Sequence, residues 1–168
     1  MIMKDIILHS LLEGLGLGLL LVVYCMIGIR RGAVGMVFLY HDDVQKRCID
    51  LGLTTRETIQ KRHSVFRTLG IVLYLLYLVV FVYNVEGARS FGECYLRMFI
   101  ILTVMNLIDR FLIDEVWVGG TKAWIIPGTE DMRPYINSKD KVKKWISAIL
   151  MTFVLPVIIA GIGSIFVG

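Results

Sequence analysis

The sequence lacks the short motifs that identify many small enzymes. It contains no Gly-rich phosphate loop, no HExxH motif and no nucleophile elbow, and Ser164 has no evident histidine partner. Membrane enzymes often use scattered polar residues instead, so these absences weigh against an enzyme and leave the question open.

Cysteine is also scarce, and its spacing carries no signature. Cys25, Cys48 and Cys94 form no CxxC pair. The sequence therefore supports neither a disulfide framework nor a zinc site, and no cofactor or metal is indicated.

What the sequence has in excess is apolar residues in long blocks. Hydrophobic residues make up 57% of the 168 positions, and the mean hydropathy is +0.73. A soluble domain is about half apolar even when glycine is counted, and a bilayer is crossed by about 20 helical residues. We predict an all-α polytopic integral membrane protein. We expect a single membrane domain that forms a four-transmembrane-helix bundle, with spans at about 6–29, 69–85, 96–118 and 145–166.

The basic residues of the polar loops predict the orientation. The loops at about 30–68 and 119–144 hold fourteen Lys and Arg, whereas Lys4, Arg89 and Arg97 are the three on the opposite side. The positive-inside rule then places both loops in the cytoplasm and both termini outside it, in a multi-pass protein of the cell membrane. Trp117, Trp124 and Trp145 fall near the cytoplasmic interface, as in an aromatic belt.

The net charge of +4 is explained by the same distribution. Lysines that flank the last span serve orientation and attraction to anionic lipid. Membrane lipids are therefore predicted partners, and nucleic acid is not.

The first polar loop predicts a small cytoplasmic helical hairpin. One helix covers about Asp42 to Leu51 and stops at Gly52, and a second covers Arg56 to about Phe66. Thr54 and Glu57 have the spacing of a capping box at the start of the second helix.

The end of the third apolar block carries the charges that are most costly in a bilayer. Helical spacing puts Asn106, Arg110 and Asp114 on one face, with Asp109 beside Arg110 and Glu115 beside Asp114. One hypothesis is an intramembrane site in which an aspartate binds a cation or proton and Arg110 holds an anionic group. The alternative is a structural Arg110–Asp114 pair, with Asp114 and Glu115 reaching cytoplasmic water.

A second candidate lies in the first span, where His9 and Glu13 are one turn apart. This spacing permits proton sharing or ion binding, but both residues also suit the outer headgroup layer. If Glu13 faces Asp109 across the bundle, the two carboxylates form a coupled pair.

Small residues recur on two of the spans. Gly14 and Gly18 lie one turn apart, and Ala160, Ser164 and Gly168 form a second stripe. Such stripes allow helices to approach closely, so we predict a homo-oligomer or a partner membrane subunit.

Three functions are compatible with these features. The first is a small transporter, channel or permease-like subunit with an intramembrane polar site on the third helix. The second is a membrane enzyme acting on a lipid-type substrate at the cytoplasmic interface, using Asp114, Glu115 and the loop from Gly119 to Tyr135. The third is an accessory or scaffold protein that binds a partner through the hairpin.

Overall fold

A computed structural model describes residues 3–167, with side chains for residues 3–165. Every regular element in this part of the chain is helical, so the all-α class is confirmed. Three helices are long and apolar enough to cross a membrane: Met3–Ile29, Arg56–Val85 and Ser138–Ile165. The predicted span at 96–118 falls on a further long helix, which is not among these three.

The α-helices are α1 (Met3–Ile29), α2 (Asp42–Asp50), α3 (Arg56–Val79), α4 (Phe91–Leu107) and α5 (Ser138–Val167). Two of them continue as π-helix, α3 over Val80–Val85 and α4 over Ile108–Val118. Three short 3₁₀ segments lie at Ala33–Leu39, Lys122–Trp124 and Glu130–Met132.

Helix α4 is packed between α1 and α5. It runs parallel to α1, since Gly14 faces Val104 and Gly18 faces Ile108. It runs antiparallel to α5. Asn106 contacts Thr152, whereas Asp114, later in the chain, contacts Lys144, which lies earlier in α5. The bundle therefore has a terminal end, near residues 3–13, 83–97 and 159–165, and a loop end, near residues 30–55 and 119–140.

Tyrosine side chains attach α3 to its neighbours. The Tyr77 hydroxyl donates to the carbonyl of Glu13 in α1 at 2.8 Å, and the Tyr83 hydroxyl donates to the carbonyl of Ile159 in α5 at 3.1 Å. The main core between the helices is apolar and includes Leu78, Met98 and Leu102, all fully buried.

The predicted hairpin is wrong in its second arm. Helix α3 starts at Arg56 but continues through the expected end at Phe66 to Val79, so the arm and the second apolar block are one helix. Gly70 lies inside α3 without breaking it, since a single glycine in a helix interior costs only about 1 kcal/mol relative to alanine. The cap is also one residue later than predicted, since the Thr55 hydroxyl accepts from the Thr58 amide at 3.2 Å.

The small-residue stripes are used within the chain. A Cβ on Gly14 would lie 2.7 Å from Val104 Cβ, and a Cβ on Gly163 would collide with the Tyr83 hydroxyl. Ala160 is fully buried among the helices, while Gly168 lies outside the described residues. The Gly14–Gly18 stripe therefore allows α1 and α4 to pack closely, whereas Ser164 of the second stripe is exposed. Oligomerisation stays a prediction.

A second apolar core lies at the loop end and includes Trp124. This side chain is fully buried, packs edge-on against Trp117 at 5.1 Å between ring centroids, and belongs to no interfacial belt. The Tyr40 hydroxyl donates to the Trp124 carbonyl at 2.7 Å, and burial raises the pKa of the Tyr40 phenol. The loop from Gly119 to Tyr135 is thus folded against the first polar loop.

Candidate functional site

The charged residues predicted on the third apolar block form a paired cluster in the π-helical continuation of α4. Arg110 contacts Asp109, and its Nη1 atom lies 2.6 Å from Asp114 Oδ2. Asp114 Oδ1 also accepts a hydrogen bond from Lys144 Nζ of α5 at 2.9 Å. We call Asp109, Arg110, Asp114 and Lys144 the inner cluster.

The π-helix explains why two carboxylates reach one guanidinium. Its hydrogen bonds run from residue i to i+5, so residues five apart, such as Asp109 and Asp114, come to one face. In an α-helix they would point in different directions. The exposed fractions of Arg110, Asp109 and Asp114 are only 12%, 21% and 10%, so the pairing is largely removed from the surface.

Asn106 faces the same neighbour as Asp114, helix α5, but bonds to a different residue of that helix. Its Nδ2 atom donates to Thr152 Oγ1 at 2.8 Å, and Thr152 donates to the carbonyl of Ala148 in its own helix. Asn106 is therefore a link between α4 and α5, one turn from the inner cluster.

Glu115 lies at the surface, half exposed, and pairs with Lys141 Nζ at 2.7 Å. The neighbouring loop does cover this region, since Arg133 donates to the carbonyl of Gly119 at 2.9 Å. The gap enclosed between Asp114, Glu115 and this loop has a volume of about 30 Å³. That is room for about one or two water molecules and is smaller than a lipid headgroup.

A second cluster lies at the terminal end, and the sequence patterns predicted little of it. Arg97 is fully buried, with Nη1 at 2.8 Å from Glu86 Oε2 and Nε at 3.1 Å from Glu93 Oε1. Glu86 also contacts His9 Nδ1 at 3.1 Å. His9 and Glu13 were predicted candidates, and the i, i+4 spacing of Glu93 and Arg97 was a further signal. Glu86 lies in a turn and joins these residues only through the fold. We call His9, Glu13, Glu86, Glu93 and Arg97 the outer cluster.

Glu86 is a common neighbour of the two candidate residues of the first helix. His9, whose side chain is about half exposed, contacts Glu86, and Glu13 faces Glu86 rather than Asp109, which lies in the other cluster. Burial alone would raise the pKa of Glu86, but the hydrogen bond with His9 and the charge of Arg97 outweigh it and lower the pKa below its usual value.

Within the described part of the chain, no group of three or more His, Cys, Asp and Glu side chains is placed to hold a metal ion. The two clusters offer carboxylate, guanidinium, ammonium and imidazole groups, which are able to form ion pairs and exchange protons.

The fold and these clusters define an all-helical protein with three candidate membrane spans and buried charge at both ends of a central helix. Comparison with protein-family models, with curated proteins and with solved structures finds no match for this chain.

Proposed function

We propose that this chain is a small transporter, channel or permease-like membrane subunit whose intramembrane polar site is the inner cluster. One observation carries the proposal: the largely buried Asp109, Arg110 and Asp114 occur in an 11-residue π-helical segment, Ile108–Val118. π-Helical turns are rare and are frequent at functional sites, and charged groups inside a membrane are costly unless they are paired or functional.

The composition of the cluster suits reversible ion or proton binding. Two carboxylates and two cations cancel when all four are ionised, so the arrival or loss of one proton or cation leaves a net charge in a poorly solvated place. Lys144 belongs to α5 and its partner Asp114 to α4. A change of charge therefore acts directly on the contact between two helices.

The proposed bundle has four spans. Helix α4 and its π continuation lie alongside α1 and α5, both of which qualify as spans by length and composition. A helix held between two spanning helices crosses with them, and its charges are tolerated because they are paired. The positive-inside rule then puts the loop end in the cytoplasm and both termini outside it.

In this proposal, the described conformation is a closed state. Ile101 and Leu102 of α4 are fully buried between the outer and inner clusters, and Gly14 packs against Val104 at the same level. Conduction in this proposal requires either a rearrangement of α4 against α1 and α5 or a pathway shared with a second subunit. We expect a homo-oligomer or a partner membrane subunit for this reason.

Flux measurements in proteoliposomes test the proposal. The purified chain is reconstituted with pH-sensitive and sodium-sensitive dyes inside the vesicles, and proton, Na⁺ and K⁺ gradients are imposed in turn. Asp109→Asn removes one carboxylate charge from the cluster. Glu115→Gln removes one from the exposed pair next to it and is the matched control.

The expected result is a cation or proton flux above that of empty vesicles, abolished by Asp109→Asn and retained by Glu115→Gln. Equal flux in the wild type and Asp109→Asn, or no flux under any of the gradients, would contradict the proposed role of the cluster.

A further inference from the structure

A cleft of about 560 Å³ lies at the loop end, and none of the four inner-cluster residues lines it. It is bounded by the last turns of α1, the 3₁₀ segment Ala33–Leu39 and the first turns of α3. Its volume is within the range of small-molecule binding sites, roughly 300–1,000 Å³.

Close backbone packing forms the inner wall of this cleft. A Cβ on Gly35 would lie 3.3 Å from the carbonyl oxygen of Gly28, and a Cβ on Gly28 would collide with the Met36 sulfur. Because these two positions are glycine, the 3₁₀ segment approaches the end of α1. Tyr24 and Phe66 stack at 4.4 Å between ring centroids, and the Tyr24 hydroxyl donates to the Phe66 carbonyl at 2.8 Å.

The ionisable side chains that line the cleft, apart from the Tyr24 phenol, are all cationic. They are Arg31 at the end of α1, and Lys61 and Arg62 on α3. None of the three is within 4.0 Å of an acidic side chain among the described residues, whereas Arg47, Lys141 and Lys144 each have a carboxylate partner. Three cations without a counter-charge around one opening are electrostatically complementary to a phosphate.

The remaining lining is apolar and continues toward the membrane-spanning part of the helices. Ile27, Val65 and Leu69 line the cleft and are 65%, 50% and 55% exposed. Val65 and Leu69 are one turn apart, where α3 passes from its charged start into its apolar stretch. An occupant that satisfies both halves has an anionic head at the cations and a hydrocarbon chain along this apolar strip.

We propose that this cleft binds an anionic glycerophospholipid, with its phosphate at Arg31, Lys61 and Arg62 and one acyl chain along Ile27, Val65 and Leu69. The site is separate from the inner cluster and does not depend on the proposed transport role. General attraction between basic loops and an acidic membrane needs no cleft. A bound lipid in a fixed place needs both the three cations and the apolar strip.

Native mass spectrometry of the full chain in detergent tests this site. Phosphatidylglycerol or phosphatidylcholine with identical acyl chains is titrated, and the dissociation constant of the first bound lipid is measured. The first variant is Arg31→Ala/Lys61→Ala/Arg62→Ala, all at exposed positions. The matched control is Lys122→Ala/Lys139→Ala/Lys143→Ala, which removes the same charge from exposed positions outside the cleft.

A third variant separates the two halves of the site. Val65→Trp fills the apolar strip and leaves every charge in place. Helicity and thermal unfolding of each variant are compared with those of the wild type to check that it folds. If the triple variant does not fold, the lipid affinity of Val65→Trp still tests the site.

We expect the wild type to bind phosphatidylglycerol more tightly than phosphatidylcholine. The dissociation constant for phosphatidylglycerol should rise about tenfold or more in the cleft triple variant and in Val65→Trp, and less than about threefold in the control. Equal losses in the two triple variants would indicate general electrostatic attraction and overturn the proposal. No preference in the wild type, an unchanged Val65→Trp variant, or competition by soluble glycerol phosphate as strong as that by the lipid would also overturn it.

Discussion

Arg97 and Glu86 form a buried ion pair, with 2.8 Å between Nη1 and Oε2, although one residue lies inside α4 and the other in the turn before it. The Arg97 side chain is fully buried and that of Glu86 is 10% exposed. A charge in such a place is tolerated only with its partners, so the pair ties the end of α3 to α4 at the terminal end of the bundle.

Replacing Arg97 alone should therefore be strongly destabilising. We expect Arg97→Leu to lower the free energy of unfolding by about 3–5 kcal/mol, because Glu86 and Glu93 are left without their cation. Chemical unfolding in mild detergent measures this. Arg89→Leu, at an exposed position in the same turn, should change the value by less than about 0.5 kcal/mol. If Arg97→Leu lowered the free energy of unfolding as little as Arg89→Leu, the Arg97–Glu86 ion pair would contribute little to stability.

The lowered pKa of Glu86 predicts a pH dependence of stability. A carboxyl group with a lower pKa in the folded than in the unfolded chain stabilises the fold above its ordinary value of 4.5, and this stabilisation is lost as the pH falls through the folded-state pKa. The melting temperature of the wild type should drop on acidification below about pH 4.5, and Glu86→Gln should flatten that drop. Glu57→Gln, at an exposed position on α3, is the control and should follow the wild type. A drop of the same size in Glu86→Gln would exclude Glu86 as its source.

Two helix-interior glycines should respond in opposite ways to alanine. A Cβ on Gly14 would lie 2.7 Å from Val104 Cβ and 3.1 Å from the carbonyl oxygen of Ile101, so Gly14→Ala forces α1 and α4 apart. We expect a loss of about 1–3 kcal/mol in the free energy of unfolding. Gly161→Ala meets nothing within 4 Å and should be neutral or slightly stabilising. Similar effects at both positions would mean that the α1–α4 contact is not close.

The ion pairs of Asp114 and Glu115 with lysines of α5 should differ in energy. The coupling of Asp114 to Lys144, measured by a double-mutant cycle with Asp114→Asn and Lys144→Met, should be about 1–3 kcal/mol, because both side chains are largely buried. The cycle of Glu115→Gln with Lys141→Met should give about 0.2–1 kcal/mol, since both side chains are about half exposed. Equal couplings would place the two pairs in equivalent surroundings.

Local sequence patterns predicted what depends on composition and on near neighbours along the chain. The helical class follows from the apolar blocks, and each of the three candidate spans covers all or nearly all of a predicted block, although α3 begins at Arg56 rather than near residue 69. The Arg110–Asp114 pair follows from a spacing of four residues. The second arm of the hairpin was predicted to end near Phe66, but no proline follows there and Gly70 alone does not end the helix, so α3 continues to Val79.

Composition and local patterns were enough to predict that the chain is helical, has apolar segments of membrane-spanning length and carries charges near the end of its third apolar block. They were not enough to predict which charged side chains far apart in the chain pair with each other. Glu86 reaches His9 across 77 residues, and Lys144 of α5 reaches Asp114 of α4 across 30 residues. Such pairings depend on how whole helices pack against each other, because a side chain's partners in a bundle come from neighbouring helices as much as from its own.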